Sequence, residues 1–291
     1  MEKSVVNKND VMKALQDLEL PSGCTLTLHS SIKSIGYVDG GARTVADALI
    51  EAVGPEGTLA IPTFTFCRPP QAPVTVDPAT DPCDVGAINK ALWQTPGALR
   101  SIAATHSFAL LGKHKEEMYN IPPEVCPLGD QSVFGKLMEL DAYILLLGVA
   151  YTHCTAGHFA EYLCQVPHRA VYPQKVLIRA ADGSLKEVIM NIYAPREDIV
   201  YPPRDFNRAG SLLEKADKVK ITTLGNAYLR LFKIRDFVNL VVEHYRNGDN
   251  LLTHLPDEPD TILQHGVMVK EEYTDLSGNF HRSVHSVVKT N

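Results

Sequence analysis

One short apolar run, from Tyr143 to Val149, limits the folds open to this chain more than any other segment. Its length and its aliphatic residues predict a buried strand, and the residues from Thr155 onward predict a helix. Other predicted strands and helices alternate through the first half of the chain. Such alternation indicates α/β layers, so we expect a three-layer α/β/α core with a mixed central sheet and an α+β C-terminal subdomain.

The first half of the chain supplies most of the predicted core elements. Strands are predicted at residues 24–28, 57–62, 107–111 and 142–149, and helices at about 11–18, 45–53, 87–93 and 132–140. The strand at 24–28 alternates with period two, as a half-buried strand does. Asp10 is expected to cap the first helix, and Thr44 with Asp47 resembles a capping box. The proline- and acid-rich loop at 68–85 exceeds the usual connection length, which indicates a binding loop, a lid or a surface excursion.

The second half of the chain has a different texture. Residues 175–180 and 185–191 flank Ala181-Asp182-Gly183-Ser184, which predicts a hairpin. A helix is predicted near 206–214 and a strand near 219–222, followed by a long amphipathic stretch at 227–246 and a further hairpin about 277–279. We therefore expect residues 1–166 to form the α/β core and residues 167–291 to form a second subdomain packed on it.

Composition and charge narrow the class of protein. The chain carries 28 basic and 34 acidic residues, a net charge of −6, which argues against a nucleic-acid partner and is compatible with cationic ligands. No apolar run approaches the roughly 18 residues of a membrane span, and the charged N-terminal segment lacks a secretory signal, so we expect no membrane association and a cytoplasmic protein. The six cysteines form no CxxC pair, which is typical of reduced thiols.

His158 and Glu161 are the strongest candidates for chemistry. They are three residues apart on a predicted helix and so share a face, just past a buried strand, where open α/β sheets place their active sites. The alternative is an ordinary helix start capped by Thr155, with Glu161 in solvent. His29 and His106 also lie at or just after predicted strand ends. Three such histidines could hold a metal ion in a hydrolase, although none of the pairs has a recognised ligand spacing.

Six sequence blocks occur in order between about Asp10 and about Tyr245. They are residues 29–36 with 39–41, residues 54–59 with 62–64, residues 77–78 with Gly86, residues 96–98 with 100–101 and 105–107, the trio Thr155, His158 and Glu161, and residues 205–206 with 225–227. Through these blocks the chain resembles the aminoglycoside 3-N-acetyltransferases, also called the antibiotic N-acetyltransferases. It departs from that family at Ala103-Ala104, where His-Pro is common, and at Ser132-Val133, where Ser-Pro is frequent.

The resemblance implies a reaction and its participants. It implies transfer of an acetyl group from acetyl-coenzyme A to an amine, the 3-N of the 2-deoxystreptamine ring of an aminoglycoside antibiotic, which would confer resistance. It implies a small-molecule substrate, no metal and a possible homodimer. A histidine suits the base that takes a proton from the amine. In the family's T-x-x-H-x-x-E pattern His158 matches that base, and Glu161 matches a carboxylate that orients the imidazole or pairs with the substrate.

The resemblance also implies binding residues on both sides of the reaction. The expected coenzyme-binding residues, on residues 1–166, are Ser30, Ser31, Thr105, His106 and Ser107. The expected acceptor-binding residues, with the second subdomain completing the cleft, are Asp77, Asp81, Asp84, Asp198 and Asp205. Structural alternatives remain open for several of these residues. The two consecutive serines could cap the end of a strand, and His106 could be a buried imidazole. The last two aspartates could be solvated or N-cap acids. Another small amine as acceptor and a non-catalytic ligand-binding homologue also remain open.

Overall fold

The computed structural model describes residues 5–66, 73–199, 204–253, 263, 265, 267–274 and 280–287. The helices are α1 (Lys8–Asp17), α2 (Ile32–Ile35), α3 (Gly41–Val53), α4 (Ala87–Trp93), α5 (Lys115–Tyr119), α6 (Val133–Glu139), α7 (Ala156–Cys164), α8 (Asn207–Lys215) and α9 (Ile234–Arg246), with a 3-10 turn at Tyr151–His153. The strands are β1 (Thr25–Ser30), β2 (Thr58–Pro62), β3 (Val74–Val76), β4 (Leu99–Arg100), β5 (Phe108–Gly112), β6 (Tyr143–Leu147), β7 (Arg169–Arg179), β8 (Leu185–Pro195), β9 (Val219–Leu224), β10 (Ala227–Lys233), β11 (Val267–Thr274) and β12 (Phe280–Val287).

The predicted mixed central sheet is confirmed. Its strands lie in the order β9-β10-β6-β1-β2-β5-β4. Strand β1 is parallel to both β2 and β6, whereas β10, β9, β5 and β4 pair antiparallel with their neighbours. The hairpin β11-β12 joins the sheet through one pair, Ala227 with Val287. The predicted C-terminal hairpin is thus present, and its turn at 277–279 lies outside the described residues.

Strand β6 explains why the fold has three layers. Ile144 and Leu146 pack into the core beneath α6, α7 and α9, whereas Leu145 and Leu147 pack into the core beneath α1, α3 and α4. All four side chains are fully buried, and burying each of them stabilises the fold by about 1.5–3 kcal/mol. A strand covered on both faces has no polar side to present to water, and this accounts for the uninterrupted apolar run in the sequence.

Three local predictions are wrong. Asn7, not Asp10, is the N-cap of α1, and Asp10 completes a capping box by accepting from the Asn7 backbone N–H at 2.8 Å. Helix α3 begins earlier than expected, at Gly41, and its N-cap residue Gly40 has a left-handed backbone conformation. Asp47 pairs with Arg43 instead of capping the helix. Strand β1 is buried along almost all its length rather than on one face, because helices cover both sides of the sheet.

The second half of the chain contributes to two sheets. The predicted hairpin forms as β7 and β8, which with β3 make a separate three-stranded sheet. The long amphipathic stretch at 227–246 divides into β10, which lies beside β6 in the central sheet, and helix α9. Strands from both sides of residue 166 therefore share the central sheet, and the division into two subdomains stays a prediction. No helix within the described residues has the length and hydropathy needed to cross a membrane.

Candidate active site

A cleft of about 920 Å³ opens at the carboxyl ends of β1 and β6. The two strands are parallel and end together, with Ser30 beside Leu147, and open α/β sheets place their ligands at this edge. The polar residues lining the cleft are His29, Ser30, Ser31, Lys33, Asp84, His106, Thr152, His153, Thr155, His158, Arg169 and Arg204. The apolar residues lining it include Ile32, Phe64, Phe66, Val85, Ala87, Val149 and Phe206.

The structure brings His158 and Glu161 together on α7, as their spacing predicts. His158 Nδ1 lies 2.5 Å from Glu161 Oε2, and the carboxylate is buried, with 1% of its side chain exposed. The alternative, an ordinary helix start with Glu161 in solvent, is therefore wrong. Thr155 precedes the helix, but its side chain forms no capping hydrogen bond. Helix α7 holds the pair in place because its inner face packs into the core, where Phe159 stacks on Phe134.

Glu161 is held in the charged form by its cationic and hydrogen-bonding neighbours. Its Oε1 lies 3.5 Å from His168 Nε2, and its Oε2 lies 3.6 Å from Arg169 Nε. Burial on its own would raise the pKa of Glu161. The hydrogen bonds from His158 and His168 and the charge of Arg169 outweigh burial and lower the pKa to about 2. At neutral pH the carboxylate can therefore only accept hydrogen bonds.

The partners of His158 fix its tautomer. Glu161 accepts at Nδ1, so Nδ1 carries the proton. On the other side of the ring Arg204 Nη1 lies 3.0 Å from His158 Nε2, and because a guanidinium can only donate, Nε2 is the acceptor. Burial lowers the pKa of His158, as do the charges of Arg169 and Arg204, against the opposing effect of Glu161. The imidazole is thus neutral near pH 7, with its basic nitrogen toward the cleft.

Phe206 connects this histidine to the second half of the chain. Its ring lies edge-to-face with the His158 ring at 5.2 Å between centroids. It also packs directly on Gly157, where a Cβ would clash with the ring. Arg204, two residues earlier, stacks over the same phenyl ring at 5.5 Å. Gly157 thereby allows a segment far along the chain to border the histidine.

The other two strand-end histidines lie on the same cleft. His29 Nε2 accepts from the Thr155 backbone N–H at 3.3 Å, and His106 Nδ1 lies 2.7 Å from Thr105 Oγ1. Burial lowers the pKa of each to about 3, and the charge of Arg169 contributes for His106, so both imidazoles are neutral. Within the described part of the chain, no group of three or more His, Cys, Asp or Glu residues is arranged to hold a metal ion.

The five predicted coenzyme-binding residues separate into two groups. Ser30, Ser31 and His106 line the cleft. Ser30 Oγ donates to Asn89 Oδ1 at 3.0 Å, and Ser31 caps the short helix α2. Both serines are half-buried, so local hydrogen bonding at the strand end and a position on the cleft are compatible. Thr105 does not line the cleft, and its hydroxyl lies 2.7 Å from His106 Nδ1. Ser107 is buried beneath the cleft, where its hydroxyl donates to the Thr63 carbonyl at 2.8 Å and accepts from Arg100 Nε at 3.2 Å.

Of the five predicted acceptor-binding aspartates, the structure places only Asp84 on the lining of the cleft. Its Oδ2 accepts from the Phe66 backbone N–H at 2.7 Å. Asp77 accepts from the Ala79 N–H and lies 3.5 Å from Arg179, and Asp198 forms two hydrogen bonds with Arg196. The carbonyl of Asp81 accepts from Arg100, and Asp205 is buried at the start of α8, where it accepts from the Asn207 N–H.

Sequence reasoning missed two arginines at the site. Arg204 contacts His158 from 46 positions away, and Arg169 lies beside Glu161 at the start of β7. Neither belongs to a motif block, although Asp205-Phe206 directly follows Arg204 in the sixth block. That adjacency is the one signal that could have directed attention to Arg204. Arg169 had no such signal, because its position depends on how β7 leaves helix α7.

Comparison with known proteins identifies the class of enzyme. In the curated set, the aminoglycoside N(3)-acetyltransferase IV of Salmonella sp. is 28% identical over 86% of this chain and 91% of its own length. The SPbeta prophage-derived aminoglycoside N(3')-acetyltransferase-like protein YokD of Bacillus subtilis (strain 168) is 29% identical over 84% of this chain and 93% of its own length. The chain is an acetyltransferase, and acetyl-coenzyme A is its co-substrate.

The family follows from the match to its model. The model of the aminoglycoside 3-N-acetyltransferases matches residues 27–246, and the chain belongs to this family. Among solved structures, a histidine-to-alanine mutant of aminoglycoside acetyltransferase AAC(3)-IVa in complex with a gentamicin superposes with a TM-score of 0.69 at 27% identity, over 88% of this chain and 95% of that one. The family resemblance and the α/β fold expected from the sequence are confirmed.

Proposed function

We propose that this acetyltransferase acetylates an amine of an aminoglycoside, the 3-N of the 2-deoxystreptamine ring, with His158 as the general base, and so confers resistance. One observation carries the proposal: the 2.5 Å contact between His158 Nδ1 and the buried Glu161 carboxylate, which leaves Nε2 directed toward the cleft. A cleft of about 920 Å³ is at the upper end of the range found for small-molecule sites, as two substrates bound together require.

The chemistry of an amine acceptor explains why the pair is useful. An aliphatic amine is protonated at neutral pH and must lose a proton before its lone pair can form the new C–N bond. That first proton passes to solvent. As the neutral amine forms the C–N bond its nitrogen must lose a second proton, which His158 Nε2 accepts, and Glu161 stabilises the resulting imidazolium through the hydrogen bond at Nδ1. Acetyl-coenzyme A supplies the acetyl group as a thioester. When the C–S bond breaks, the imidazolium returns the proton to the departing sulfur, and His158 is neutral again.

The residues along one side of the cleft fit the coenzyme. Ser30 and Ser31 line it beside the exposed Lys33, whose ammonium suits a phosphate group. Ile32 lies between these residues in the sequence, and Val85 and Ala87 flank Gly86, which lies beside Ser30. All three provide the apolar lining that an uncharged thioester arm needs. These residues support the assignment of coenzyme binding to the segment after β1, and His106 is the further candidate on the cleft.

The relatives indicate the aminoglycoside, and the structure with bound gentamicin belongs to a protein 27% identical to this one. A second candidate acceptor, a different small amine, is favoured by one observation. Four of the five aspartates expected to bind a polycation do not line the cleft. The acetyl transfer and the role of His158 are the same for both acceptors.

A thiol-release assay with acetyl-coenzyme A tests the function against a panel of aminoglycosides and simple amines. Wild-type protein should release thiol with an aminoglycoside, and NMR of the product should locate the acetyl group on the 3-N. His158→Ala should lower kcat by about 10²- to 10⁴-fold while circular dichroism shows an unchanged fold. A variant with near-normal kcat at neutral pH rules out His158 as the base, and wild-type protein that binds acetyl-coenzyme A without any turnover indicates a non-catalytic homologue.

Four further expectations belong with this proposal. Expression in a susceptible host should raise the inhibitory concentration of the acetylated antibiotic. Sedimentation should reveal a homodimer, and cell fractionation should recover the protein from the cytoplasm. The coenzyme-binding and catalytic segments should belong to residues 1–166, and the second subdomain, residues 167–291, should complete the acceptor cleft. Limited proteolysis with and without substrates would test this division.

A further inference from the structure

Basic side chains outnumber acidic ones among the described residues that line the cleft around His158. Among the described residues that line it, the Lys and Arg side chains are Lys33, Arg169 and Arg204, against one Asp or Glu side chain, Asp84. The Asp84 carboxylate already accepts a backbone hydrogen bond. This composition is unexpected for a site that takes a polycation, because like charges raise the cost of binding.

Arg204 differs from the other two cations in its partners. Arg169 lies beside the carboxylate of Glu161, and Lys33 is on the segment assigned to the coenzyme. Arg204 is exposed, and its side-chain partners within the described part of the chain are the His158 imidazole and the Phe206 ring. A neutral nitrogen and an aromatic face do not neutralise a guanidinium.

The position of Arg204 also has a consequence for the base. Its N–H donates to the lone pair of His158 Nε2, the same lone pair that must accept the proton of the acceptor amine. The amine can reach Nε2 only after the guanidinium has turned away. A carboxylate or phosphate provides the partner that would turn it, because a guanidinium binds such groups through two parallel, charge-assisted hydrogen bonds.

The coenzyme does not supply this anion. The acceptor amine has to meet both Nε2 and the thioester carbon, so the thioester lies next to His158 during the reaction. In acetyl-coenzyme A the phosphates are separated from the thioester by the whole length of the uncharged pantetheine arm. An arginine that touches Nε2 is therefore beside the reacting end of the coenzyme and within reach of the acceptor.

We propose that the acceptor of this enzyme carries a carboxylate or phosphate in addition to its amine, and that Arg204 binds this group. The anionic group then both orients the acceptor and releases His158 Nε2 for proton transfer. This inference rests on the proposed acetyl transfer with His158 as base. Of the two candidate acceptors it favours the second, a small amine other than an aminoglycoside, and assigns that amine an anionic group, as in an amino sugar acid or an amino sugar phosphate.

The test uses three amines with the same sugar ring: glucosamine, glucosamine 6-phosphate and glucosamine with a C6 carboxylate, beside an intact aminoglycoside. The thiol-release assay gives kcat/KM for each with acetyl-coenzyme A. Wild-type enzyme should prefer an anionic amine to glucosamine by about 10- to 100-fold, the value of one charge-assisted interaction. Comparison of the phosphate with the carboxylate identifies which anion the site takes.

Variants of Arg204 determine whether that residue is responsible. Arg204→Gln should remove the preference, and Arg204→Glu should reverse it in favour of the aminoglycoside. Arg196→Gln is the matched control, because Arg196 pairs with Asp198 away from the cleft, and it should retain the wild-type preference. Arg204→Lys should retain only part, since an ammonium lacks the planar fork.

Two outcomes overturn the inference. A wild-type enzyme that acetylates the aminoglycoside best, with no loss in Arg204→Gln, refutes the anionic acceptor and leaves the proposed function intact. A preference for anionic amines that survives in Arg204→Gln also refutes it, because another residue would then bind the anion. Absence of turnover with every amine contradicts the proposed function itself.

Discussion

Replacing Glu161 by glutamine gives the sharpest test of how the site is built. The substitution keeps the size of the side chain and removes the charge that is now 2.5 Å from His158 Nδ1. The amide oxygen can still accept from Nδ1, so the imidazole keeps its tautomer. What is lost is the stabilisation of the imidazolium that forms when Nε2 accepts a proton from the acceptor.

The size of the effect follows from the contact. A hydrogen bond to a charged group contributes about 1.5–3 kcal/mol, and each 1.36 kcal/mol changes a rate about tenfold. We therefore expect kcat to fall by about 10- to 100-fold, less than for removal of the base itself. Glu161 raises the pKa of His158 against the effect of burial. Without the carboxylate that pKa falls further, so the acid limb of the rate profile should move to lower pH.

The assay is a pH–rate profile of kcat/KM for the wild type and for Glu161→Gln. In the wild type the acid limb should lie below pH 6.5, because the pKa of His158 is lowered from that value. The chain provides a matched control, Glu117→Gln, since His114 Nδ1 and Glu117 Oε1 lie 2.9 Å apart with the same three-residue spacing on the surface. That variant should keep the wild-type profile. An unchanged plateau in Glu161→Gln, or an acid limb shifted to higher pH, refutes the reasoning.

Three further predictions test other parts of the site. Ser31→Trp should raise KM for acetyl-coenzyme A more than KM for the acceptor, since Ser31 borders the coenzyme side of the cleft; a rise in the acceptor KM alone contradicts this placement. Ser107→Ala should lower the free energy of unfolding by about 1–3 kcal/mol with little change in KM for the coenzyme, because its hydroxyl bridges Arg100 and the Thr63 carbonyl. The pKa of Glu161 is lowered from 4.5 to about 2, so its contribution to stability is present above pH 4.5 and is lost as the pH falls toward 2. Acid titration should show a loss on the order of 3 kcal/mol that Glu161→Gln lacks.

The fold could be predicted from the sequence to the extent that it depends on local patterns. The bounds expected for α4 agree with the structure, and the apolar run at 143–149 indicates a core strand because both faces of β6 are buried. The order of the strands depends on pairing between distant segments. No local pattern shows that β10 lies beside β6, so the amphipathic stretch at 227–246 could not be divided into a strand and a helix.

His158 and Glu161 could be predicted as a site only from their spacing together with their position after a buried strand. Spacing of three residues on a helix also brings His114 and Glu117 together, yet that pair lies on the surface and away from the cleft. What distinguishes His158 and Glu161 is that α7 follows the central strand β6. Spacing identifies side chains that can touch, and topology determines whether they touch at a site.

The charge of the cleft could not be predicted from the sequence. A net charge of −6 is compatible with cationic ligands, but net charge does not say where the acids lie. Asp198 is neutralised by Arg196 two residues away, and Asp77 lies beside Arg179 across the small sheet. Meanwhile Arg204 reaches His158 without a carboxylate among its described partners. Because ion pairs occupy two of the predicted acids and, within the described residues, an arginine without a carboxylate partner touches the base, net charge is a poor guide to what this cleft binds.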